Sequence, residues 1–392
     1  MEILFASGIF PPQSGGPATF VPEIATAFTN RGHTVSVVTN GNPAPETDAK
    51  FPFDVVRIPL NGWEGVRFYK QIRTLIGEIR RRDPDLLFSN AFDWQSAIAT
   101  ELTGTPFVVK VVGDMAWERA TVRYDLHDDI ETFNHNRYSP RIEAIRLLRT
   151  AQTRLADRVI VPSEYLADLV ASWGIPQSRI VTVYNAIDPS IAPKSEDRAD
   201  FRLITVCRLV DWKGVEGLLD ATARLREQFP EAQLDIVGDG PARGQIASYA
   251  ERTLPSDAYT LHGRLSHESV LELVSRSRVF ALNSTYEGLP HVVLEAMACG
   301  TPTVVSDAGG NAEVVIDGET GYVVPQGDGE AFADRIARLL SDETRWQSFS
   351  NAGRRRLSNV FDHEQTWDQY EDTLRRTVTA SGTESERSIA RL

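Results

Sequence analysis

Two carboxylates, Glu287 and Glu295, flank the run Gly288-Leu289-Pro290-His291-Val292-Val293-Leu294. Proline is tolerated in the first turn of a helix and breaks it elsewhere, so this spacing predicts a helix starting at Pro290. Glu287 then sits on the loop before the helix, and Glu295 falls in its second turn. The backbone N–H groups at the helix start lie between the two acids and favour an anion. The carboxylates accept hydrogen bonds from hydroxyls. Phosphate and polyol recognition side by side is the chemistry of a nucleotide-sugar site.

Other residues offer the same chemistry. In Cys207-Arg208-Leu209-Val210-Asp211-Trp212-Lys213-Gly214, Arg208 follows an apolar run and Lys213 precedes an amphipathic one. Arginine brings a fork to phosphate oxygens and lysine a movable point charge, so the two can offset a diphosphate. The alternative is a pair of surface charges on a strand-to-helix loop. Ile236-Val237-Gly238-Asp239-Gly240-Pro241 is a strand, a glycine turn and a helix start, which either admits a nucleotide to the backbone or serves steric needs alone. Gly15-Gly16 follows the first apolar run and is a candidate phosphate-facing loop. It has neither GxGxxG nor GxxxxGK[ST] spacing, which argues against an NAD or ATP site.

The elements that must position these residues alternate. Strands are expected at Ile3–Ala6, Val35–Thr39, Val55–Pro59, Leu86–Ser89, Phe107–Val112 and Val159–Pro162, with helices over Thr19–Asn30, Val66–Arg82 and Arg141–Ala156. A second cycle opens near Phe201. Its strands are expected at Leu203–Cys207, Leu234–Val237, Tyr259–His262, Val279–Leu282, Thr303–Val305 and Gly321–Val323. Its helices are expected at Val215–Phe229, Pro241–Thr253, His267–Ser275, Pro290–Ala298 and Gly329–Leu340. Short strands separated by helices imply an α/β fold of doubly wound parallel sheets. Two Rossmann-like domains follow, 1–185 and 186–360, with Asp188–Asp200 as the linker. The Ser/Thr/Glu/Arg-rich stretch 377–392 is expected to be a frayed tail.

The chain has 392 residues and a net charge of −13, with 42% hydrophobic residues. That charge argues against nucleic acid as a partner, because phosphate-backbone binding needs a basic footprint. The two cysteines, Cys207 and Cys299, form no zinc spacing and no disulfide framework. No basic, apolar leader opens the chain and no apolar run is long enough for a membrane span, so a cytoplasmic location is expected.

Gly15-Gly16, Arg208 with Lys213, Val237-Gly238-Asp239-Gly240-Pro241 and the Glu287…Glu295 segment occur in an order and at separations that resemble the retaining GT-B glycosyltransferases of the family 4 type. Val161-Pro162-Ser163-Glu164 and Tyr184-Asn185-Ala186-Ile187-Asp188 resemble that family's inter-domain segment. The resemblance implies a GT-B architecture: two domains facing across a cleft, and a crossover helix, 361–376, returning to the first. It implies that Arg208 and Lys213 bind the donor diphosphate, aided by backbone N–H groups at Gly16, His291 and Val292, with Gly15, Gly288, Leu289 and Pro290 also lining the donor site. Glu295 would hold the ribose and Glu287 the transferred sugar, with Gly263 and Arg264 near the base and Gly238 in a turn that admits the donor to the backbone. It also implies that no metal or cofactor is needed, the nucleotide-sugar being a UDP- or GDP-linked co-substrate. The acceptor would be a glycolipid or a polysaccharide precursor.

The chain departs from the pattern in one loop. Relatives carry a histidine there, where this chain reads Val111-Val112-Gly113-Asp114-Met115-Ala116-Trp117-Glu118. Val112 falls near the histidine's usual position. Asp114 is the nearest polar substitute for contact with sugar or acceptor, the alternative being a helix cap. Glu118, His127 and His135 are further candidates for the acceptor side. Cys207 stands where relatives have glycine, and Asn283 where they often have proline. Arg67, Lys70, Arg73, Arg80, Arg81 and Arg82 lie along one predicted helix, which either meets an anionic membrane peripherally, at its inner face, or is simply solvated. Phe361, Trp367 and Tyr370 share a helical face expected to pack in the crossover. A natural-product glycosyltransferase, an epimerase or phosphorylase on the same architecture, and an inactive sugar-nucleotide-binding scaffold are the rival readings.

Overall fold

Ile3, Leu4, Phe5 and Ala6 are all fully buried. A continuous apolar run has this fate in a parallel sheet covered on both faces. The computed structural model describes residues 1–13, 15–193 and 198–389. In it, β1 (Glu2–Ser7), β2 (Thr34–Asn40), β3 (Asp54–Ile58), β4 (Leu86–Asn90), β5 (Phe107–Lys110), β6 (Arg158–Val161) and β7 (Ile180–Thr182) form one sheet in the order β3-β2-β1-β4-β5-β6-β7. A second sheet comprises β8 (Arg202–Val206), β9 (Gln233–Val237), β10 (Tyr259–Gly263), β11 (Val279–Leu282), β12 (Thr303–Ser306) and β13 (Gly321–Val324), in the order β10-β9-β8-β11-β12-β13. The pairings within both sheets are parallel.

Strand order reverses at β1/β4 in the first sheet and at β8/β11 in the second. In open α/β sheets, ligands bind beyond the strand carboxyl ends at such reversals. The reversals therefore select which of the expected loops matter: those after β1, β8 and β11.

The chain divides into two units, residues 1–162, 166–183 and 367–392 in one and 163–165 with 184–366 in the other. The crossing point at Val183/Tyr184 corrects the expected linker. Asp188 caps the turn Pro189–Ile191, and Arg198 donates to the Cys299 carbonyl at 2.8 Å, so both ends of the Asp188–Asp200 stretch are built into the second unit. Residues 194–197 of that stretch lie outside the described residues.

Several elements were not predicted. The helix Asp93–Thr103 buries Ser96, Ala97, Ala99 and Thr100, a face too small and polar to read as an apolar stripe. The helices Met115–Tyr124, Glu164–Ser172 and Glu343–Val360 and the short edge strand β7 were likewise missed.

The last helix, His363–Ile389, starts after Phe361, so the three aromatics do not share one helical face. Phe361 is in the core of the second unit, whereas Trp367, Tyr370 and Leu374 pack with Phe20 and Phe88 in the first. The stretch expected to fray begins inside this helix, where Thr377 is buried and donates to the Thr373 carbonyl at 2.8 Å. Residues 390–392 lie outside the described residues. Among the described residues, no helix is long and apolar enough to cross a membrane.

Candidate active site

The loop after β8 ends in a single 3-10 turn, Asp211–Lys213, closed by Gly214 at φ 59°. A Cβ on Gly214 would stand 2.0 Å from the carbonyl oxygen of Asn283, so only glycine allows the β8 and β11 loops to approach this closely. The contact is hydrogen-bonded: the Asn283 amide donates to the Gly214 carbonyl at 3.1 Å, and the Thr285 N–H donates to the Trp212 carbonyl at 2.8 Å. Asn283 thus ties the two loops together where a proline could not.

This junction delivers two charges to one point. Lys213 Nζ donates to Glu287 Oε1 at 2.5 Å, and Ser284 Oγ donates to the same oxygen at 2.5 Å. The side chains of Lys213 and Glu287 are only 17% and 10% exposed. Removing one partner of a pair this sheltered leaves the other charge uncompensated.

The loop after β12 fixes the Glu287 backbone. The Gly310 N–H donates to the Glu287 carbonyl at 3.0 Å, and a Cβ on Gly309 would meet that oxygen at 1.9 Å. Ser163 Oγ donates to the Gly288 carbonyl at 2.7 Å. Leu289 is anchored in the apolar core and Pro290 occupies the cap position of the helix His291–Cys299. His291 is exposed and Val292 half-buried at its first turn. The expected helix start is thereby in place beside Glu287.

Glu295 falls in the second turn of this helix, and its Oε1 is 2.9 Å from His267 Nε2. The sequence reading missed His267, which opens the neighbouring helix His267–Arg276. Ser284, Gly309 and Gly310 were missed too. The Gly309-Gly310 pair after an apolar strand was a visible signal; a lone serine was not.

Arg208 follows β8 directly, is exposed and forms no ion pair with a described residue. Gly238 has φ 136°, and a Cβ there would lie 1.9 Å from the Cys207 carbonyl oxygen. Gly240 meets the Leu209 carbonyl in the same way, at 2.1 Å. The steric account of the Gly-Asp-Gly turn therefore holds on this side. Burial pushes the Cys207 thiol up to about 12, in keeping with its reading as a packing residue. The Gly238 N–H donates to the Gly263 carbonyl at 2.9 Å, which sets the β9 and β10 ends side by side. Arg264 extends outward there, its Nε 3.8 Å from Asp239 Oδ2.

Gly15 and Gly16 belong to the first unit. Gly15, at φ 144°, caps the helix Gly16–Asn30, and a Cβ on Gly16 would have nothing within 4 Å. Bare backbone at a helix start, at the order reversal of the first sheet, is what a phosphate-facing loop needs.

Asp114 is a correction. It is fully buried, its Oδ1 accepts from the Ala116 and Trp117 N–H groups at 2.9 and 3.2 Å, and its Oδ2 accepts from Arg149 and from Asn134 at 3.3 Å. It caps the helix Met115–Tyr124 instead of facing a sugar or acceptor. Val112 is 49% exposed beside it. His127 is largely exposed near Asp125, and His135 Nδ1 lies 2.7 Å from the Glu131 carbonyl of its own helix.

Comparison with known proteins agrees with this geometry. The model for glycosyltransferase family 4 matches residues 14–191, and that for glycosyl transferases group 1 matches residues 188–356. The chain is a GT-B glycosyltransferase of the family 4 type. It is 27% identical to a glycogen synthase of Mycobacterium tuberculosis over 92% of this chain and 91% of that protein. It is 32% identical to a GDP-mannose-dependent alpha-(1-6)-phosphatidylinositol monomannoside mannosyltransferase of Mycolicibacterium smegmatis, over 53% of this chain and 59% of that one. Its fold matches that of Anabaena HepE, solved with UDP-glucose, at a TM-score of 0.77 and 20% identity, covering 96% and 100% of the two chains. In this family 4 glycosyltransferase, then, the two switch-point loops of the second unit place a cation, a carboxylate and a helix start together, and the β8 loop carries a second, exposed cation, Arg208.

Proposed function

We propose that the enzyme transfers a hexosyl group from a UDP- or GDP-sugar to a glycolipid or polysaccharide-precursor acceptor, with retention and without a metal. The observation that carries this is the Lys213–Glu287 pair at the β8/β11 reversal, just before the His291–Cys299 helix, with the exposed Arg208 on the same β8 loop as Lys213. Breaking the anomeric C–O bond puts positive charge on the sugar and negative charge on the departing phosphate. Arg208, Lys213 and the helix N–H groups stabilise that negative charge more in the transition state than before it. They supply the role a metal would otherwise fill. Donor diphosphate competes for Lys213, which frees Glu287 to accept from a sugar hydroxyl, while Glu295 accepts from the ribose. The acceptor attacks on the face that the phosphate leaves.

The donors named for relatives support a nucleotide-sugar: one mannosyltransferase is GDP-mannose-dependent, and HepE was solved with UDP-glucose. Peripheral contact with a membrane is a further part of the reading. On the helix Glu64–Arg82, Arg81 and Arg82 pair with Glu78, so the basic face narrows to Arg67, Lys70, Arg73 and Arg80. Trp63, Phe68 and Tyr69 are 74%, 37% and 63% exposed on the same segment. Exposed aromatics beside cations suit a headgroup region.

Thermal-shift titration with UDP-, GDP-, ADP- and dTDP-sugars in EDTA tests the reading. A UDP- or GDP-sugar should stabilise the protein and be slowly hydrolysed. Strict dependence on Mn²⁺ or Mg²⁺ would overturn the mechanism, and stabilisation by no sugar nucleotide would overturn the function.

A further inference from the structure

Ser163, Glu164 and Tyr165 belong to the second unit, although Pro162 before them and Leu166 after them belong to the first. Their contacts show what sets these three residues apart. Ser163 Oγ donates to the Gly288 carbonyl at 2.7 Å. The centroid of the Tyr165 ring lies 6.3 Å from that of Tyr286, and its Cε1 would stand 3.1 Å from a Cβ placed on Gly309. The three residues therefore touch the chain on both sides of Glu287, and also the loop that takes up the Glu287 carbonyl.

Glu313 fixes them there. A helix start leaves its first N–H groups without carbonyl partners in the helix. At the helix Glu164–Ser172, the Glu164 and Tyr165 N–H groups donate to Glu313 Oε2 and Oε1, each at 2.8 Å. Hydrogen bonds to a carboxylate are among the strong ones. Glu313 is itself rooted in the loop after β12. Its N–H donates to the Gly310 carbonyl at 3.2 Å, and the Gly310 N–H donates to the Glu287 carbonyl at 3.0 Å. Tyr184, where the chain re-enters the second unit, bonds the same carboxylate; burial, and then that charge, push its phenol up to about 12. A residue next to a helix can supply its cap. Here the acceptor comes from 148 residues further along, out of the turn that braces Glu287. A misplacement of about 1 Å near the reacting atoms can cost roughly 10²-fold in rate, so that bracing bears on catalysis.

We propose that Glu313 is a positioning residue for Glu287. Through Ser163–Tyr165 on one side and Gly310 on the other, it holds the Glu287 backbone where the carboxylate serves the transferred sugar. The effect on transfer rests on the role proposed for Glu287 above; the effect on the backbone does not.

Two variants test it in the full chain. Glu313→Gln keeps the size and removes the charge, and Ser163→Ala removes the hydroxyl on Gly288 while sparing Glu313. Amide hydrogen exchange without ligand reads the backbone. The Gly310 N–H should exchange about tenfold faster or more in both variants. Amides of β1 should keep their protection, which shows that the variants fold. Hydrolysis of UDP-glucose and GDP-mannose reads the chemistry. In Glu313→Gln, kcat should fall about 10–10²-fold while the affinity for bare UDP or GDP stays unchanged. In a Glu287→Ala background the same substitution should cost nothing further. Unchanged exchange at Gly310 overturns the proposal. So does an undiminished kcat, which would leave Glu313 a helix cap only, or a loss of nucleotide affinity as large as the loss of kcat. If the wild-type protein neither binds nor hydrolyses a sugar nucleotide while Gly310 exchange rises as expected, the bracing of Glu287 stands and its role toward the sugar falls.

Discussion

Lys213 Nζ and Glu287 Oε1 meet at 2.5 Å although the two residues follow different strands, β8 and β11, which are neighbours only because the sheet order reverses there. The pair is a product of topology, and its members act as a unit. Glu287→Ala and Lys213→Ala should therefore each lower kcat by about 10²–10³. The double variant should be little worse than either single one, as for groups that serve one step. Steady-state kinetics beside circular dichroism checks this; a single variant that is folded and fully active would sink the assignment.

The glycines divide into two classes with opposite expectations. Gly214→Ala forces a side chain into left-handed backbone and against the Asn283 carbonyl at 2.0 Å, so it should destabilise the protein by about 2 kcal/mol or more and lower kcat. Gly16→Ala meets nothing within 4 Å. It should leave urea-unfolding midpoints unchanged yet raise the donor KM if diphosphate approaches that backbone. An unchanged KM in Gly16→Ala would remove Gly16 from the donor site.

These residues also show what was legible in the sequence. Strand-to-helix alternation located the strands of both sheets except the short edge strand β7, because apolar runs bounded by glycine and proline are a local signal. Arg208, Lys213, Glu287 and Glu295 were legible because they stand at fixed distances from strand ends and a helix start. Ser284 was not, since a serine carries no mark of the carboxylate it will meet. Asp114 was ambiguous for a physical reason: an aspartate before a helix suits a cap or a ligand equally. Its partner Arg149, 35 residues away in sequence, settles the matter only once the chain is folded. The unpredicted helix Asp93–Thr103 hid its buried face in alanine, serine and threonine.

Glu295 tests the ribose assignment. Its carboxylate contacts His267 at 2.9 Å while His267 stays 58% exposed, so the pair sits at a surface a nucleotide can reach. A carboxylate that accepts from ribose hydroxyls should favour a ribonucleotide donor over its 2′-deoxy analogue. Glu295→Ala should raise the donor KM with little change in kcat and should narrow that preference. Competition binding with UDP or GDP against their deoxy forms measures it. A preference retained in full by the variant would place the ribose elsewhere.

Membrane contact makes a separable prediction. Trp63 and Tyr69 are exposed beside Lys70 and Arg73, whereas Arg81 and Arg82 are occupied by Glu78. Arg67, Lys70 and Arg73, next to the aromatics, should then carry the binding, with Arg80 adding to it. The protein should sediment with vesicles containing phosphatidylserine and not with purely zwitterionic ones, and salt should weaken the association, because exposed charges are screened. Trp63→Ala combined with Lys70→Glu should abolish sedimentation. Arg81→Glu should have little effect, since that side chain is held by its own helix. If the wild-type protein ignores anionic vesicles, the exposed aromatics have another role and the acceptor need not be presented from a bilayer.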